Sequence, residues 1–266
     1  MQQLKPAEIL EVTIQSGVNR AAYSFRQLIM LGFLAGAFIS LAGAGANMAG
    51  FYFLADPATS GIGRMISGII FPAGLIMVFL AGGELFTGNN MMIAAVLDKK
   101  ISISSMLRNW LVVYLANLIS SMIIAWLIVY SGMLNAGDGL LNEVTVGIAV
   151  SKVSLSFGQA FVRAIFCNFL VCLAVWIANG ADSTIGKIFG IFFPILLFVT
   201  AGFEHSVANM FSIAIGIFAD SGATAGLTWT AFLVNNLLPV TLGNIAGGGF
   251  FVTGTYYLAY KRYEKA

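Results

Sequence analysis

The sequence predicts an all-α integral membrane protein of six transmembrane helices, arranged as two inverted three-helix repeats whose second and fifth helices are broken. Three observations carry this. Of 266 residues, 59% are hydrophobic and only 9% are charged, against about 25% charged in a soluble domain. Apolar runs of spanning length fall near residues 28–54, 62–97, 109–133, 158–180, 185–219 and 226–260. The second and fifth runs are too long for one crossing, too short for two with a loop, and carry matching polar interruptions: "AGGELFTGN" at 81–89 and "AGFEHSVAN" at 201–209.

Each element follows in turn. The opening "MQQLKPAEILEVTIQSGVNR" has no apolar core of signal-peptide type and predicts a short amphipathic surface helix over about residues 6–16. The first, third, fourth and sixth runs read as plain spans. Half-helices of about 14–16 residues flank the interruptions and reach only some 21–24 Å, short of a roughly 30 Å hydrocarbon core. Each interrupted run therefore reads as a half-helix, a re-entrant loop and a second half-helix, with Pro72 and Pro194 as bending residues. The run at 134–157 reads as the longest loop.

The two interruptions share the pattern A-G-x-E-x-x-x-x-N. Upstream, Phe71–Pro72 is echoed by Phe193–Pro194; downstream, Trp110 with Asn117–Leu118 is echoed by Trp229 with Asn236–Leu237, at offsets of 120, 122 and 119 residues. A repeat of three spans inverts its second copy, so both breaks meet at mid-depth, where paired discontinuous helices mark a substrate site. The chain is read as one membrane domain over 1–266: an N-terminal helix in 1–25, a first repeat in 26–133, an external loop at 134–157, a second repeat in 158–260 and a tail at 261–266. With the N-terminus inside, ten of the thirteen Lys and Arg residues, Arg262 and Lys265 among them, fall on the cytoplasmic side, and Arg64, Lys152 and Arg163 fall outside. Arg64 and Arg163 read as interfacial anchors that also suit drawing anions to the mouth.

His205, the sole histidine, lies beside Glu204 in the second interruption. An intramembrane ionisable pair at a helix break points to function, and imidazole titrates near neutral pH. Half-helix N-termini favour an anion, and Thr87 and Ser206 are placed to cap or line the breaks. Glu84 and Glu204 read as structural or electrostatic, since a bare carboxylate would repel an anion; Glu204 is a partner for Lys152. On the residues alone, Lys152 is a solvated loop lysine, Asn168 an interhelical hydrogen-bonding group and Thr87 a helix cap. Cys167 and Cys172 read as small core residues. One histidine and two buried cysteines make no metal site, and no cofactor is implied. The adjacent Glu204, His205 and Ser206 cannot form a catalytic relay, which needs groups converging from separate elements, so no enzyme is expected. A net charge of +2 gives no reason for a nucleic-acid partner.

The segments "GELFTGNNM", "NWLVVYLANL", "CNFLVCLAVW", "GFEHSVANM" and "NLLPVTLGNIAGG" resemble the signature segments of the formate/nitrite transporter family, in order and over nearly the whole chain. The resemblance implies an aquaporin-like six-helix protomer with its own pore, assembled as a homopentamer in the bilayer of a bacterial cytoplasmic membrane with both termini cytoplasmic. The function implied is a channel or proton-coupled transporter for small monovalent anions of weak acids, formate first, with nitrite or hydrosulfide close behind. His205, Lys152, Asn168 and Thr87 then line the pathway, Glu204 and Glu84 support it, and Phe71, Leu75, Leu85, Val171 and Phe198 form its constrictions. Lys152 and the half-helix termini would attract the anion, and His205, polarised by Asn168 and Lys152 and set between two hydrophobic constrictions, would give it a hydrogen bond or a proton. An aquaporin-like channel for small neutral solutes is the competing reading; two central cationic residues and the lack of paired Asn-Pro-Ala boxes count against it.

Overall fold

The computed structural model describes residues 3–261, among which all regular structure is helical; Arg262 and Lys265 of the tail lie outside the described residues. Six helices are long and apolar enough to cross a membrane. In order, α1 (Pro6–Ala22) is the surface helix and α2 (Phe25–Ala55) the first span. The second runs through α3 (Ser60–Ile70) and α4 (Pro72–Met77), ends in a wide π-type turn at Val78–Gly82, breaks, and resumes as α5 (Phe86–Asn89) and α6 (Ile93–Leu97). Next come α7 (Ile103–Tyr130), α8 (Leu140–Val153) and α9 (Phe157–Gly180). The fifth span is α10 (Thr184–Ala201), a break, and α11 (Ser206–Asp220); the sixth holds α12 (Leu238–Asn244) and α13 (Thr255–Tyr260).

The breaks fall where expected, and for local reasons. Gly202 ends α10 in the left-handed conformation (φ 71°), which glycine adopts without a Cβ penalty. Gly82 does the same ahead of the first break, at φ 93°. Pro72 opens α4, where a missing N–H costs nothing, whereas Pro194 sits within α10. Three expectations are corrected. The surface helix extends to Ala22. The segment at 134–157 is mostly helix, since α8 occupies fourteen of its residues. The sixth span is not plain: Ala231–Leu237 and Ile245–Gly254 are π-helical. There Gly247 lies so close to α9 that a Cβ would overlap the Ile165 carbonyl, and on α2 a Cβ at Gly36 would overlap Ser120 Oγ. Small residues at such crossings let helix backbones approach without a hydrophobic drive between helices.

The repeat unit is larger than three spans. Ser24 caps α2 in a box with Gln27, and Ser156 caps α9 in a box with Gln159, 132 residues later. Each box is preceded by a short helix, α1 or α8, that packs on its own half and also on the other, α1 against α9 and α8 against α2. The unit is thus a surface helix, a span, a broken span and a span.

Candidate functional site

The two breaks have the same backbone. Leu85 and His205 are the N-cap residues of α5 and α11, at φ −106°, ψ 122° and φ −111°, ψ 119°. Leu85 offers no cap. His205 does: its Nδ1 accepts the Ala208 N–H at 3.0 Å. Its other nitrogen, Nε2, is 2.8 Å from Thr87 Oγ1 on α5, and this contact joins the two halves at the site. Because a backbone N–H only donates, Nδ1 is the acceptor, and the neutral ring carries its proton on Nε2. That proton points at Thr87 Oγ1, which leaves the threonine O–H free to donate. Ser206, placed as a cap from sequence, is displaced from that role by His205: its backbone N–H donates to Asn244 Oδ1 at 2.8 Å, and its buried hydroxyl has no hydrogen-bond partner.

Around each break lies one network, built twice. Arg20 of α1 reaches Glu84 at 3.1 Å, and Lys152 of α8 reaches Glu204 at 3.0 Å. Asn89 donates to Glu84 and to Asn109 Oδ1 at 2.7 and 2.8 Å; Asn209 donates to Glu204 and to Asn236 Oδ1 at 2.6 and 2.8 Å. Asn109 and Asn236 then donate to the carbonyls of Arg20 and Lys152. Asn117 accepts the Phe86 N–H and donates to the Glu84 and Gly32 carbonyls; Asn244 accepts the Ser206 N–H and donates to the Glu204 and Ala164 carbonyls. Both carboxylates are buried and charge-paired, which is what makes buried ions tolerable.

This corrects the repeat alignment beyond the breaks. Asn117 corresponds to Asn244 and Asn109 to Asn236, an offset of 127, not to the Asn117/Asn236 match at 119. The shared "NL" pair is a coincidence of apolar sequence eight residues, just over two helical turns, out of register. Lys152 is also no loop residue: it stands in the last turn of α8. Arg20, Asn109 and Asn244 escaped the sequence reading as site residues, and Asn89, Asn117, Asn209 and Asn236 entered it only as marks of the repeat; the 132-residue spacing of Ser24/Gln27 and Ser156/Gln159 is the signal that pairs Arg20 with Lys152.

Asn168 is buried but does not touch His205. Its amide donates to the carbonyls of Thr87 (3.2 Å) and Asn244 (2.8 Å) and to Asn90 Oδ1 (2.9 Å). It holds the first break against the sixth span, and any effect on His205 passes through Thr87.

Two cavities meet at His205. On the α8 side a vestibule of about 710 Å³ is lined by Arg64, Lys152, Arg163, Glu143, Glu204 and His205 together with the faces of Phe71 and Phe198. Beneath it, a space of about 10 Å³ is lined by Phe71, Leu75, Leu85, Val171 and Phe198, all singled out from sequence, plus Ile39, Ile195 and His205. That holds about one water molecule. Phe71 and Phe198 meet edge-to-face at 5.8 Å, and Phe198 stacks on His205 at 5.9 Å. Phe71, Phe198 and His205 line both cavities, so together they part the basic vestibule from the apolar space below. Among the described residues no group of three or more His, Cys, Asp or Glu is placed to hold a metal ion.

The comparisons with known proteins bear on this geometry. The family model described as "Formate/nitrite transporter" matches residues 7–258. The chain is 45% identical to a "Probable formate transporter" of Methanothermobacter thermautotrophicus, over 88% of this chain and 89% of that one. It is 34% identical to "Formate channel FocA" of Escherichia coli K12, over 97% and 95%. Among solved structures, a "Pentameric formate channel with formate bound" superposes with a TM-score of 0.79 at 35% identity, covering 89% of this chain and 97% of that one. An "FNT family ion channel" superposes at 0.84 with 28% identity, covering 95% and 98%. These relatives are channels and transporters rather than enzymes, and their inverted, broken six-helix architecture is the one described above. The chain is a multi-pass membrane protein that belongs to the formate/nitrite transporter family.

Proposed function

We propose that the chain is a channel for small monovalent anions of weak acids, with formate as first choice and nitrite or hydrosulfide as the alternatives, working as a homopentamer with one pore per protomer. In a bacterial cytoplasmic membrane the α1 side and both termini face the cytoplasm and the α8 vestibule faces out, a reading that the Lys and Arg distribution supports. The observation that carries this reading is the His205–Thr87 hydrogen bond where the two breaks meet, between a basic vestibule and an apolar collar.

The obstacle to conduction is desolvation of the charge, tens of kcal/mol for a bare ion in a medium of low dielectric. Lys152 offsets part of it: unit charges about 6 Å apart at an effective dielectric near 20 attract by about 3 kcal/mol. A hydrogen bond at the junction adds about 1.5–3 kcal/mol, and the remainder is avoided by neutralising the charge. The Ala208 N–H donates to His205 Nδ1, Nε2–H donates to Thr87 Oγ1, and the Thr87 O–H donates to the anion. The positive end of α11 is thereby relayed, through a neutral imidazole and a hydroxyl, onto an anion poised above the collar. With Nδ1 occupied by the cap, the ring has no free lone pair with which to take up a second proton while it stays in place. The proton that neutralises the anion for passage of the collar therefore comes from hydronium reaching the vestibule from the external solution, which leaves only water behind, and His205 serves as hydrogen-bond donor. Formic acid, once formed, crosses Phe71, Leu75, Leu85, Val171 and Phe198 as a neutral molecule, with side-chain displacement to enlarge a space of about 10 Å³.

Purified protein in liposomes tests this. Formate uptake that saturates, competes with nitrite and hydrosulfide and rises as external pH falls supports it. Glycerol permeation without formate flux overturns it in favour of a neutral-solute pore.

A further inference from the structure

We infer that Lys187 is the capture cation of the α1-side mouth, the counterpart of Arg64 at the other, so that each mouth carries an outer free cation ahead of an inner paired one. This rests on the anion-channel reading and extends it to a residue that the central site does not use. Lys187 and Arg64 occupy equivalent places, in the opening turns of α10 and α3, the two helices that lead into the breaks. Both stand where the helix dipole opposes a cation, so helix stability is not what places them there. Among the described residues neither joins an ion pair, whereas the inner cations Arg20 and Lys152 are each committed to a carboxylate.

Arg64 shows what the position does. Its guanidinium lines the vestibule, and its Nη1 is the nearest group to a Cβ built on Gly202, at 3.6 Å. The equivalent glycine of the first break is Gly82, where a Cβ meets open space: the α1-side break faces an opening too. Lys187 looks into that region. Its Nζ lies over the ring of Phe79, 5.9 Å from the centroid, and Phe79 is in the wide turn three residues before Gly82. A lysine serving only as an interfacial anchor extends its ammonium toward the headgroups. This one is folded back onto an aromatic face at the entrance to the break, where a cation–π contact fixes the stem and no carboxylate cancels the charge. A fixed, unpaired cation at a mouth raises local anion concentration and entry rate from its own side.

The test is sided. Initial formate entry is measured against concentration in membrane vesicles of both orientations, with pentamer recovery checked for each variant. Unit charges about 5 Å apart in water attract enough for roughly a fourfold change in occupancy, so Lys187→Gln is expected to raise half-saturating formate about fourfold for entry from the α1 face, with the α8 face unchanged. Arg64→Gln shows the mirror effect. Lys187→Arg stays near wild type, and Phe79→Leu, which removes the ring face and keeps bulk, gives a smaller rise on the α1 face only. Equal shifts on both faces, no shift, or a lower maximal rate at unchanged half-saturation overturn the proposal and return Lys187 to an anchor. Wild-type vesicles without formate flux sink the channel reading and this inference together; wild-type flux with an unshifted Lys187→Gln sinks the inference alone.

Discussion

Replacing His205 by asparagine separates what the imidazole does for the fold from what it does for the pathway. Two bonds are at stake, the cap to Ala208 at 3.0 Å and the contact to Thr87 at 2.8 Å. Asparagine is among the best N-caps, and its Oδ1 falls where Nδ1 now lies, so the cap survives. Its amide nitrogen, however, ends one ring atom short of Nε2 and leaves Thr87 Oγ1 without its donor. Losing one neutral hydrogen bond costs about 1 kcal/mol of stability. Leucine, the residue at the equivalent Leu85, loses both bonds and costs about 2 kcal/mol. For conduction the two should be alike: a donor chain to a charged group weakened by about 1.4 kcal/mol lowers formate flux about tenfold. The assay pairs thermal unfolding of the pentamer in detergent with formate flux in liposomes across pH 5–8. The expected result is that His205→Asn keeps most of the stability, loses flux about tenfold, and keeps the pH profile of the wild type. Wild-type flux in His205→Asn refutes the relay through Thr87. A flattened pH profile refutes the neutral donor and makes the ring a proton carrier.

Three further outcomes follow from the same geometry. Lys152→Gln leaves Glu204 buried without its cation; stability should fall by about 3 kcal/mol, and the double change with Glu204→Gln should recover most of it, which unfolding curves in a mutant cycle will show. Phe71→Ala removes one edge of the collar at a cost of about 3 kcal/mol and should admit larger carboxylates such as acetate, read as the acetate-to-formate flux ratio. Lys261 lies beyond the last span, where its bond to Asp98 first, and then Glu11, holds its pKa above the ordinary value. A raised pKa stabilises below the unfolded value near 10.4 and is lost as pH rises through the folded one. Proteolysis of α1 should therefore be unchanged from pH 6 to 9 and accelerate only in strong alkali, and Lys261→Gln should abolish that alkaline step.

What was readable in the sequence had a length scale of a few residues. The breaks were legible because Glu84 and Glu204 interrupt apolar runs, whereas the collar was named only through the family resemblance, since on their own Phe71, Leu75 and Phe198 read as plain core. The role of Asn168 was misplaced because a side-chain amide carries no sign of which carbonyls it will meet, and those it meets belong to Thr87 and Asn244, far along the chain. The equivalence of α1 and α8 is written in the sequence, where Glu11-Val12-Thr13 and Val18 recur as Glu143-Val144-Thr145 and Val150, but at the 132-residue offset of the capping boxes, which the 119–122 offset of the other matches conceals. The false Asn117/Asn236 match arose where apolar sequence offers many equal registers, and only hydrogen-bond partners decide among them.

The doubled carboxylate network also bears on how the protein enters a membrane. Every partner of Glu84 comes from residues 20–117 and every partner of Glu204 from residues 152–244. Each half can therefore satisfy its own buried acid as soon as its third span has emerged, before the other half exists. Neither glutamate waits in the lipid for a distant strand of synthesis to rescue it. What remains for the last step is the seam between halves, where His205 finds Thr87 and Asn168 finds Asn90, so the pathway is completed by the same event that closes the protomer.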